Sequence, residues 1–212
     1  YFPFWRLLLA RHDVILFDQR NHGENPLHGP ESHTWPNFAG DNRAVFHGIQ
    51  RHFGAKRAAG LFHSLSSIAA VATTLAEGPA WDPLVLIDPP MFPRPGHPLE
   101  NVELVHMREM AAIARRRPER YADPAILAAQ LAAREVFSRW VPGAHLLLAR
   151  ATLRRDPARG DWVLRCPRDM EASVFENNID PTLWSRMGRC PVPVLLVGAD
   201  PALAYPQQTP AR

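Results

Sequence analysis

Four short runs of apolar residues mark the points along the chain where buried strands are predicted. The runs occupy residues 14–17, 58–62, 84–87 and 194–197. A strand that reads as continuous apolar sequence is covered on both faces, as in a parallel sheet with helices on either side. The pattern therefore predicts four parallel strands whose carboxyl ends meet at one edge of the sheet.

Helical patterns fill the intervals between the first three of these runs. Apolar residues recur on one face of a segment that Thr34 can cap and that Gly54 ends. An alanine-rich run at 65–77 has high helix propensity and ends at Gly78. Strands that alternate with helices at these lengths predict an α/β protein with a doubly wound parallel sheet.

Helical patterns replace strands in the second half of the chain. The predicted helices there are 99–117, 124–140 and 143–154. No strand is predicted again until residue 192. The chain is therefore predicted to contain the N-terminal part of the core at 1–90, a wholly helical insertion at 91–190 and a return to the core at 191–212.

Composition describes an ordinary globular protein and narrows the classes of function. Of the 212 residues, 46% are apolar and 21% are charged, which suits one substantial core. No apolar run approaches the roughly 20 residues of a membrane span, and the first residues lack the pattern of a secretory signal. These features predict a cytoplasmic protein with no membrane partner.

Charge and cysteine usage give no indication of a nucleic-acid or metal partner. The net charge of +3 rests on arginine, since Lys56 is the only lysine. Arginines cluster at 115–117 and 154–155, but carboxylates accompany them without interleaved aromatic residues, as on a solvated helix face. Cys166 and Cys190 lack metal-ligand spacing and are predicted to be free thiols. No cofactor is predicted, and the oligomeric state is left open.

The candidate chemistry centres on Ser64, which lies between the second apolar run and the alanine-rich helix. A sharp strand-to-helix turn would hold its hydroxyl away from the backbone, beside the N–H groups that begin the helix. Residues 60–67, Gly-Leu-Phe-His-Ser-Leu-Ser-Ser, resemble the nucleophile elbow of the α/β-hydrolase family, whose usual form is Gly-x-Ser-x-Gly. Phe62 and Ser66 stand where the two glycines are usual. The glycines suit a crowded turn, so both residues are departures from the motif.

A second motif carries the same resemblance. The run at 14–17 leads into Asp-Gln-Arg-Asn-His-Gly at 18–23, which is similar to the Asp-x-Arg-x-His-Gly turn after the fourth strand of many α/β-hydrolases. The strand ends at Asp88 and Asp200 also follow in the family's order. The resemblance implies a partial α/β-hydrolase fold, a parallel sheet flanked by helices, in which 91–190 is a helical cap, or lid, over the active site.

The resemblance implies a role for each landmark. Ser64 would be the nucleophile, Asp200 the acid of the triad, and Leu65 would offer its backbone N–H to the oxyanion. Asp88 is the alternative acid, although an aspartate before Pro89 is also a common turn former. The implied substrate pocket includes His63, Phe62 and Met91.

The histidine base that such a site requires is missing from its expected place after the acid. The last histidine of the sequence is His145, inside the helical insertion. His22 has a structural role in the motif it belongs to, and His63 is expected to point to the wrong side of the turn. His97 and His106 belong to the start of the helical insertion and are expected to line or cover the pocket. Two explanations follow: the 212 residues are an interior piece of a longer hydrolase, truncated at both ends, or the chain has lost catalysis.

The sequence therefore predicts a serine hydrolase that cleaves a small ester or related acyl substrate through an acyl-enzyme on Ser64, with the catalytic histidine lacking in this chain. A serine nucleophile argues against epoxide hydrolases and haloalkane dehalogenases, which use an aspartate there. Esterases, carbon–carbon bond hydrolases and acyltransferases share the serine triad, so the sequence does not separate them. The alternative is a non-catalytic binding protein, or pseudoenzyme, on the same fold.

Overall fold

The computed structural model describes residues 1–177 and 180–198. Its α-helices are α1 (Phe2–Trp5), α2 (Trp35–Phe53), α3 (Leu65–Glu77), α4 (Glu100–Arg116), α5 (Pro124–Ala132), α6 (Ala144–Thr152), α7 (Arg168–Asn177) and α8 (Leu183–Arg186). Its strands are β1 (Gly60–His63), β2 (Leu84–Ile87), β3 (Arg120–Tyr121), β4 (Leu153–Arg155), β5 (Trp162–Leu164) and β6 (Val194–Val197). Single turns of 3₁₀ helix occur at Leu8–Ala10, Pro30–Ser32, Glu135–Phe137 and Met187–Arg189.

The chain folds as two compact units. One comprises Tyr1–His28 and Ala114–Glu171, and is called the small-sheet unit below. The other comprises Gly29–Ile113 and Ala172–Arg212, and is called the parallel-sheet unit. Within the described ranges, no helix is long and apolar enough to cross a membrane.

The parallel-sheet unit contains a three-stranded sheet in the order β1-β2-β6. All of its pairs are parallel, with His63 opposite Ile87 and Ile87 opposite Val197 at the carboxyl ends. Three of the four predicted strands are thus confirmed, because short apolar runs between turn residues form strands wherever neighbours complete their hydrogen bonds.

The fourth predicted strand, 14–17, is wrong. Residues 13–19 form neither helix nor strand, and Ile15 and Leu16 are exposed. An apolar run becomes a strand only when a neighbouring strand accepts and donates its backbone hydrogen bonds, and the described sheet ends at β1. The expectation of two covered faces also fails at β6, where Leu195 is 58% exposed.

The core of the parallel-sheet unit lies where α3 packs on β1 and β2. Alternate residues of β2 point into it, so Leu84 and Leu86 are fully buried. Small residues in α3 allow close helix–sheet packing, and Ala69, Ala70 and Val71 have no exposed surface. The cluster is completed by Phe62, Ile68, Trp81, Met91 and Leu183. Burial of this face, together with good helix propensity, explains why the alanine-rich run forms a helix here.

The small-sheet unit contains an antiparallel sheet in the order β3-β5-β4. The prediction of a wholly helical insertion at 91–190 is therefore wrong. These strands are two or three residues long and carry arginines at 120, 154 and 155, so they show neither an apolar run nor a clear alternation. They are strands because they pair with one another over a core of Tyr121, Leu127, Ala149, Leu153 and Leu164.

The predicted helices of this region are confirmed with altered bounds. The helix predicted at 99–117 is α4, and the two predicted at 124–140 and 143–154 shorten to α5 and α6. The Asp123 carboxylate accepts a hydrogen bond from the Ala125 N–H at 2.7 Å, which caps the start of α5. Gly143, with φ of 83°, precedes α6 in a left-handed conformation that favours glycine.

Candidate active site

Ser64 alone joins β1 to α3. Its φ of 53° and ψ of −127° lie outside the regions that side chains favour, as expected for a residue that reverses the chain in a single step. The residue is half-buried rather than enclosed in the core. The predicted sharp strand-to-helix turn at Ser64 is confirmed.

Backbone hydrogen bonds hold this turn from two directions. The Ser64 N–H donates to the Ile87 carbonyl at 3.0 Å, which ties the turn to the end of β2. The Ser64 carbonyl accepts from the Ser67 N–H at 2.9 Å, which ties it to the first turn of α3. A strained backbone conformation persists only where its surroundings fix it, and these contacts provide part of that restraint.

The Ser66 side chain closes the same turn. Its hydroxyl donates to the His63 carbonyl at 2.7 Å and accepts from the His63 N–H at 3.1 Å. Serine and threonine hydroxyls readily form such local bonds to the backbone near the start of a helix. At a position where a glycine is usual in the motif, the serine therefore adds contacts to the turn.

The other departure from the motif, Phe62, is accommodated by Gly60. Phe62 is 4% exposed and packs edge-on against Trp81, with 5.7 Å between ring centroids. A β-carbon added at Gly60 would lie 2.5 Å from Cε2 of Phe62 and 2.8 Å from Cβ of Trp81. Gly60 and Phe62 share the inward face of β1, so the missing side chain of one leaves space for the ring of the other. Sequence reasoning missed this role of Gly60, although a glycine two residues before a bulky strand residue was a visible signal.

The start of α3 supplies the donors that an oxyanion would need. The first N–H groups of a helix have no partner within the helix, and they sit at the positive end of its dipole. In this 13-residue helix the first of them belongs to Leu65, directly after Ser64. The oxyanion role of the Leu65 N–H stays a prediction.

Asp88 lies beside Ser64 at the carboxyl edge of the sheet. It follows β2 as Ser64 follows β1, has φ of 44°, and its N–H donates to the Val197 carbonyl at 2.7 Å. Asp88 and His63 also attract each other. Burial lowers the pKa of His63, and Asp88 opposes that shift. Burial raises the pKa of Asp88, and His63 opposes that shift.

The remaining predicted site residues fall in different places. Met91 is 2% exposed and belongs with Phe62 to the core of the parallel-sheet unit, so both pack against other core residues. Asp200 lies outside the described residues. Asp18 belongs to the small-sheet unit. The prediction that strand ends gather at one edge is confirmed for the positions of Ser64 and Asp88.

The turn that follows residues 14–17 is closed by its own polar side chains. The Asp18 carboxylate accepts from the Glu24 N–H at 3.1 Å, and a β-carbon at Gly23 would collide with that carboxylate. Asn21 is fully buried with φ of 62°, and its side-chain oxygen accepts from the His28 N–H at 2.6 Å. The His22 ring nitrogen Nδ1 lies 2.9 Å from the Arg20 carbonyl. These contacts agree with the structural role that the sequence motif implies for His22.

Both cysteines are free thiols. Among the residues that the structure describes, no group of three or more His, Cys, Asp or Glu side chains is arranged to hold an ion. Cys166 is buried, and that burial, reinforced by the negative charge of Glu171, raises the pKa of its thiol to about 12. A thiol with so high a pKa is a poor nucleophile at neutral pH.

A parallel sheet with a single serine in a strained turn at its carboxyl edge, followed at once by a buried helix, defines an α/β protein built like a hydrolase. Comparison of the sequence with known families agrees with this class. The chain belongs to the alpha/beta hydrolase family, whose profile matches residues 1–212.

Solved structures share the fold. One is E-2-(acetamidomethylene)succinate hydrolase, with a TM-score of 0.65 and 18% identity over 91% of this chain and 66% of the hydrolase. Another is the thioesterase domain of the curacin biosynthetic pathway, with a TM-score of 0.61 and 15% identity over 84% of this chain and 62% of that domain. An esterase from a marine microorganism gives a TM-score of 0.55 at 19% identity, covering 90% of this chain and 67% of the esterase. The chain thus spans 62–67% of the length of these three proteins. No curated protein matches the sequence.

Proposed function

We propose that this chain carries the nucleophile of a serine hydrolase that acts on a small carboxylic ester or a related acyl compound. The observation that carries the proposal is the conformation of Ser64, which bridges β1 and α3 with φ of 53°. Such a turn presents the hydroxyl at the edge of the sheet, beside the first N–H group of a helix. A serine in an ordinary loop has no need of this strained backbone.

The proposed chemistry is acyl transfer. A base takes the proton of the Ser64 hydroxyl as its oxygen attacks the substrate carbonyl, and the Leu65 N–H stabilises the negative charge that develops on the carbonyl oxygen. The base then gives the proton to the alcohol as the ester bond breaks. Water then cleaves the acyl-enzyme and restores Ser64. Asp200 is the proposed acid that orients the base, and Asp88 is the alternative, supported by its place beside Ser64 at the strand ends.

The base of this reaction is lacking in the chain. No histidine follows His145 in the sequence. His63 is the last residue of β1 and directly precedes Ser64. We propose that its imidazole points to the other side of the turn. We therefore propose that acylation of this 212-residue chain requires a base supplied from outside it.

The substrate class rests on what related folds act on. The three solved structures named above are called a hydrolase of an acetamidomethylene succinate, a thioesterase domain and an esterase. Their substrates have in common an electrophilic carbonyl carbon, which is what a serine nucleophile attacks. Carbon–carbon bond hydrolysis and acyl transfer to another acceptor use the same first step.

The proposal extends to 91–190 as the lid of the Ser64 site. Its test is limited proteolysis, followed by measurement of how fast esters of different chain length acylate Ser64 when free imidazole is added as the base. Cleavage at the exposed loop 94–96 should alter the preference among ester chain lengths. An unchanged preference after complete cleavage would leave this region without a lid function.

Imidazole rescue tests the proposed nucleophile. The chain is mixed with p-nitrophenyl acetate, with and without free imidazole, and acetylation is followed by intact mass and peptide mapping. Imidazole should produce an acetyl group on Ser64 of the wild-type chain, while the Ser64→Ala variant shows only the background acetylation of other groups. Identical imidazole dependence in the two proteins would contradict the proposal and favour the non-catalytic binding protein.

A further inference from the structure

The Ser66 hydroxyl forms hydrogen bonds to both polar backbone atoms of His63, the residue before Ser64. It donates its one proton to the His63 carbonyl at 2.7 Å and accepts the His63 N–H at 3.1 Å. Ser66 lies in the first turn of α3, and His63 is the last residue of β1. The side chain thus fastens the beginning of the helix to the end of the strand, across Ser64.

One of these bonds acts on the peptide that precedes Ser64. The His63 carbonyl and the Ser64 N–H belong to the same planar peptide group. Ser66 binds the carbonyl end of that group at 2.7 Å, and the Ile87 carbonyl binds its N–H end at 3.0 Å. The peptide is therefore fixed at both ends, by α3 on one side and by β2 on the other.

Fixing this peptide restrains the φ angle of Ser64. The angle describes rotation about the Ser64 N–Cα bond, and it is 53° here, a value that non-glycine residues adopt only under constraint. A change in that rotation would move the side chain of Ser64 relative to the His63–Ser64 peptide, and therefore relative to the edge of the sheet. A glycine at position 66, the usual residue of the motif, offers no side chain for this restraint.

We propose that Ser66 is a positioning residue for the Ser64 hydroxyl, acting through the His63–Ser64 peptide. The inference rests on the proposed function of Ser64 as nucleophile. The inference also explains the departure from the usual motif, because the hydroxyl of Ser66 holds the turn. Since that hydroxyl both donates and accepts a hydrogen bond, it is not a second nucleophile.

The test compares Ser66→Ala, Ser66→Gly and Ser66→Thr in the imidazole-dependent acetylation of Ser64. Alanine and glycine remove the hydroxyl, and glycine is the residue that related turns carry, so that variant keeps a foldable turn. Threonine keeps the hydroxyl. We expect the limiting acetylation rate to fall about 10- to 100-fold in the alanine and glycine variants, with little change in the ester concentration for half-maximal rate, because misplacement affects the chemical step. Threonine should restore most of the rate.

The matched control is Ser185→Ala in the same unit. Ser185 also donates its hydroxyl to a backbone carbonyl, that of Thr182 at 2.8 Å, but it is exposed on α8. Its loss should leave acetylation unchanged. Circular dichroism and thermal unfolding show which variants are folded before rates are compared.

The outcomes separate the inference from the proposed function. If wild-type protein shows no acetylation that depends on Ser64, the proposed function fails and the role of Ser66 falls with it. If wild-type protein is acetylated at Ser64 and folded Ser66→Gly or Ser66→Ala reacts at the same rate, only the positioning role is wrong. Failure of Ser66→Thr to react faster than Ser66→Gly would also overturn it.

Discussion

Gly60 and Phe62 fit together on the inner face of β1, where a β-carbon on the glycine would lie 2.5 Å from Cε2 of the phenylalanine ring. The pair explains how a bulky residue replaces a glycine one position before His63 in the motif. The ring turns back over Gly60 and against Trp81 instead of entering the turn at Ser64. The bulky side chain therefore packs in the core and does not enter the turn at Ser64.

Gly60→Ala should destabilise the protein. The added methyl group would overlap the Phe62 ring and the Trp81 side chain, and overpacking of this kind typically costs about 1–3 kcal/mol. Gly40→Ala is the control, because no atom lies within 4 Å of the position its β-carbon would take in α2. That change should be neutral or stabilising by about 0.5–1 kcal/mol, from helix propensity alone. Chemical unfolding measures the free energy of unfolding of both variants.

A double-mutant cycle with Phe62→Leu identifies the cause. Leucine lacks the Cε2 atom, so Gly60→Ala should cost less in that background than in the wild type, although the Trp81 contact remains. Equal costs in the two backgrounds would show that Phe62 is not what requires the glycine.

Asn42→Leu should destabilise the protein by leaving a buried donor unpaired. The Trp81 indole N–H donates to the Asn42 side-chain oxygen at 2.8 Å, and the two residues are 6% and 4% exposed. An unsatisfied buried donor costs about 1–3 kcal/mol. In a Trp81→Phe background no donor is left, so the same change should cost less. Thermal and chemical unfolding of the wild type, the two single variants and the double variant measure these costs. Equal costs of Asn42→Leu in the two backgrounds would disprove the coupling.

Ser67→Ala should be neutral or stabilising, in contrast to the changes above. The Ser67 hydroxyl is fully buried in α3 and has no hydrogen-bond partner among the residues described. Burying a hydroxyl without a partner costs about 1–3 kcal/mol by mutational measures, and alanine removes that cost along with little volume. A clear loss of stability in unfolding experiments would mean that the hydroxyl has a partner, such as a bound water.

Stability should decline below neutral pH partly because of His63. Burial lowers the pKa of His63 below its ordinary value of 6.5, while Asp88 opposes the shift. As the pH falls below 6.5, the imidazole of the unfolded chain gains a proton before that of the folded chain, so unfolding becomes more favourable until the folded pKa is passed. Well above pH 6.5, His63 is neutral in both the folded and the unfolded chain, so it causes no loss of stability there.

The pH dependence is checked with His63→Asn. The variant should lose less stability than the wild type as the pH falls from 7 through the folded pKa of His63. The pKa shift of Asp88 changes the free energy of unfolding in the opposite direction, and it does so at lower pH. Its raised pKa favours the folded state below the ordinary value of 3.8, and that contribution is lost as the pH rises through the folded pKa. An unchanged slope in His63→Asn would assign the decline to other groups.

The 212-residue chain by itself should hydrolyse p-nitrophenyl esters poorly. Removal of one member of a serine triad leaves only the residual catalysis that substrate binding and the oxyanion donors provide. Steady-state assays without imidazole measure this directly. Rapid turnover that Ser64→Ala abolishes would show that a base within the chain serves the reaction.

The sequence by itself determined the parts of this protein that depend on local pattern. The apolar runs at β1, β2 and β6 and the alanine-rich run at α3 each carry enough signal in a few consecutive residues to define an element. The same is true of the turn at Ser64, since a strand that must become a helix within one residue has few conformations available.

Only the tertiary structure decided the features that depend on distant partners. The run at 14–17 has the composition of a strand but forms none, whereas Leu153–Arg155 is a strand because β5 pairs with it. The space that Gly60 leaves for Phe62 and the nearness of Asp88 to His63 also require the folded arrangement of β1, β2 and Trp81. Strand pairing and side-chain packing join residues far apart in the chain, and no short stretch of sequence contains both partners.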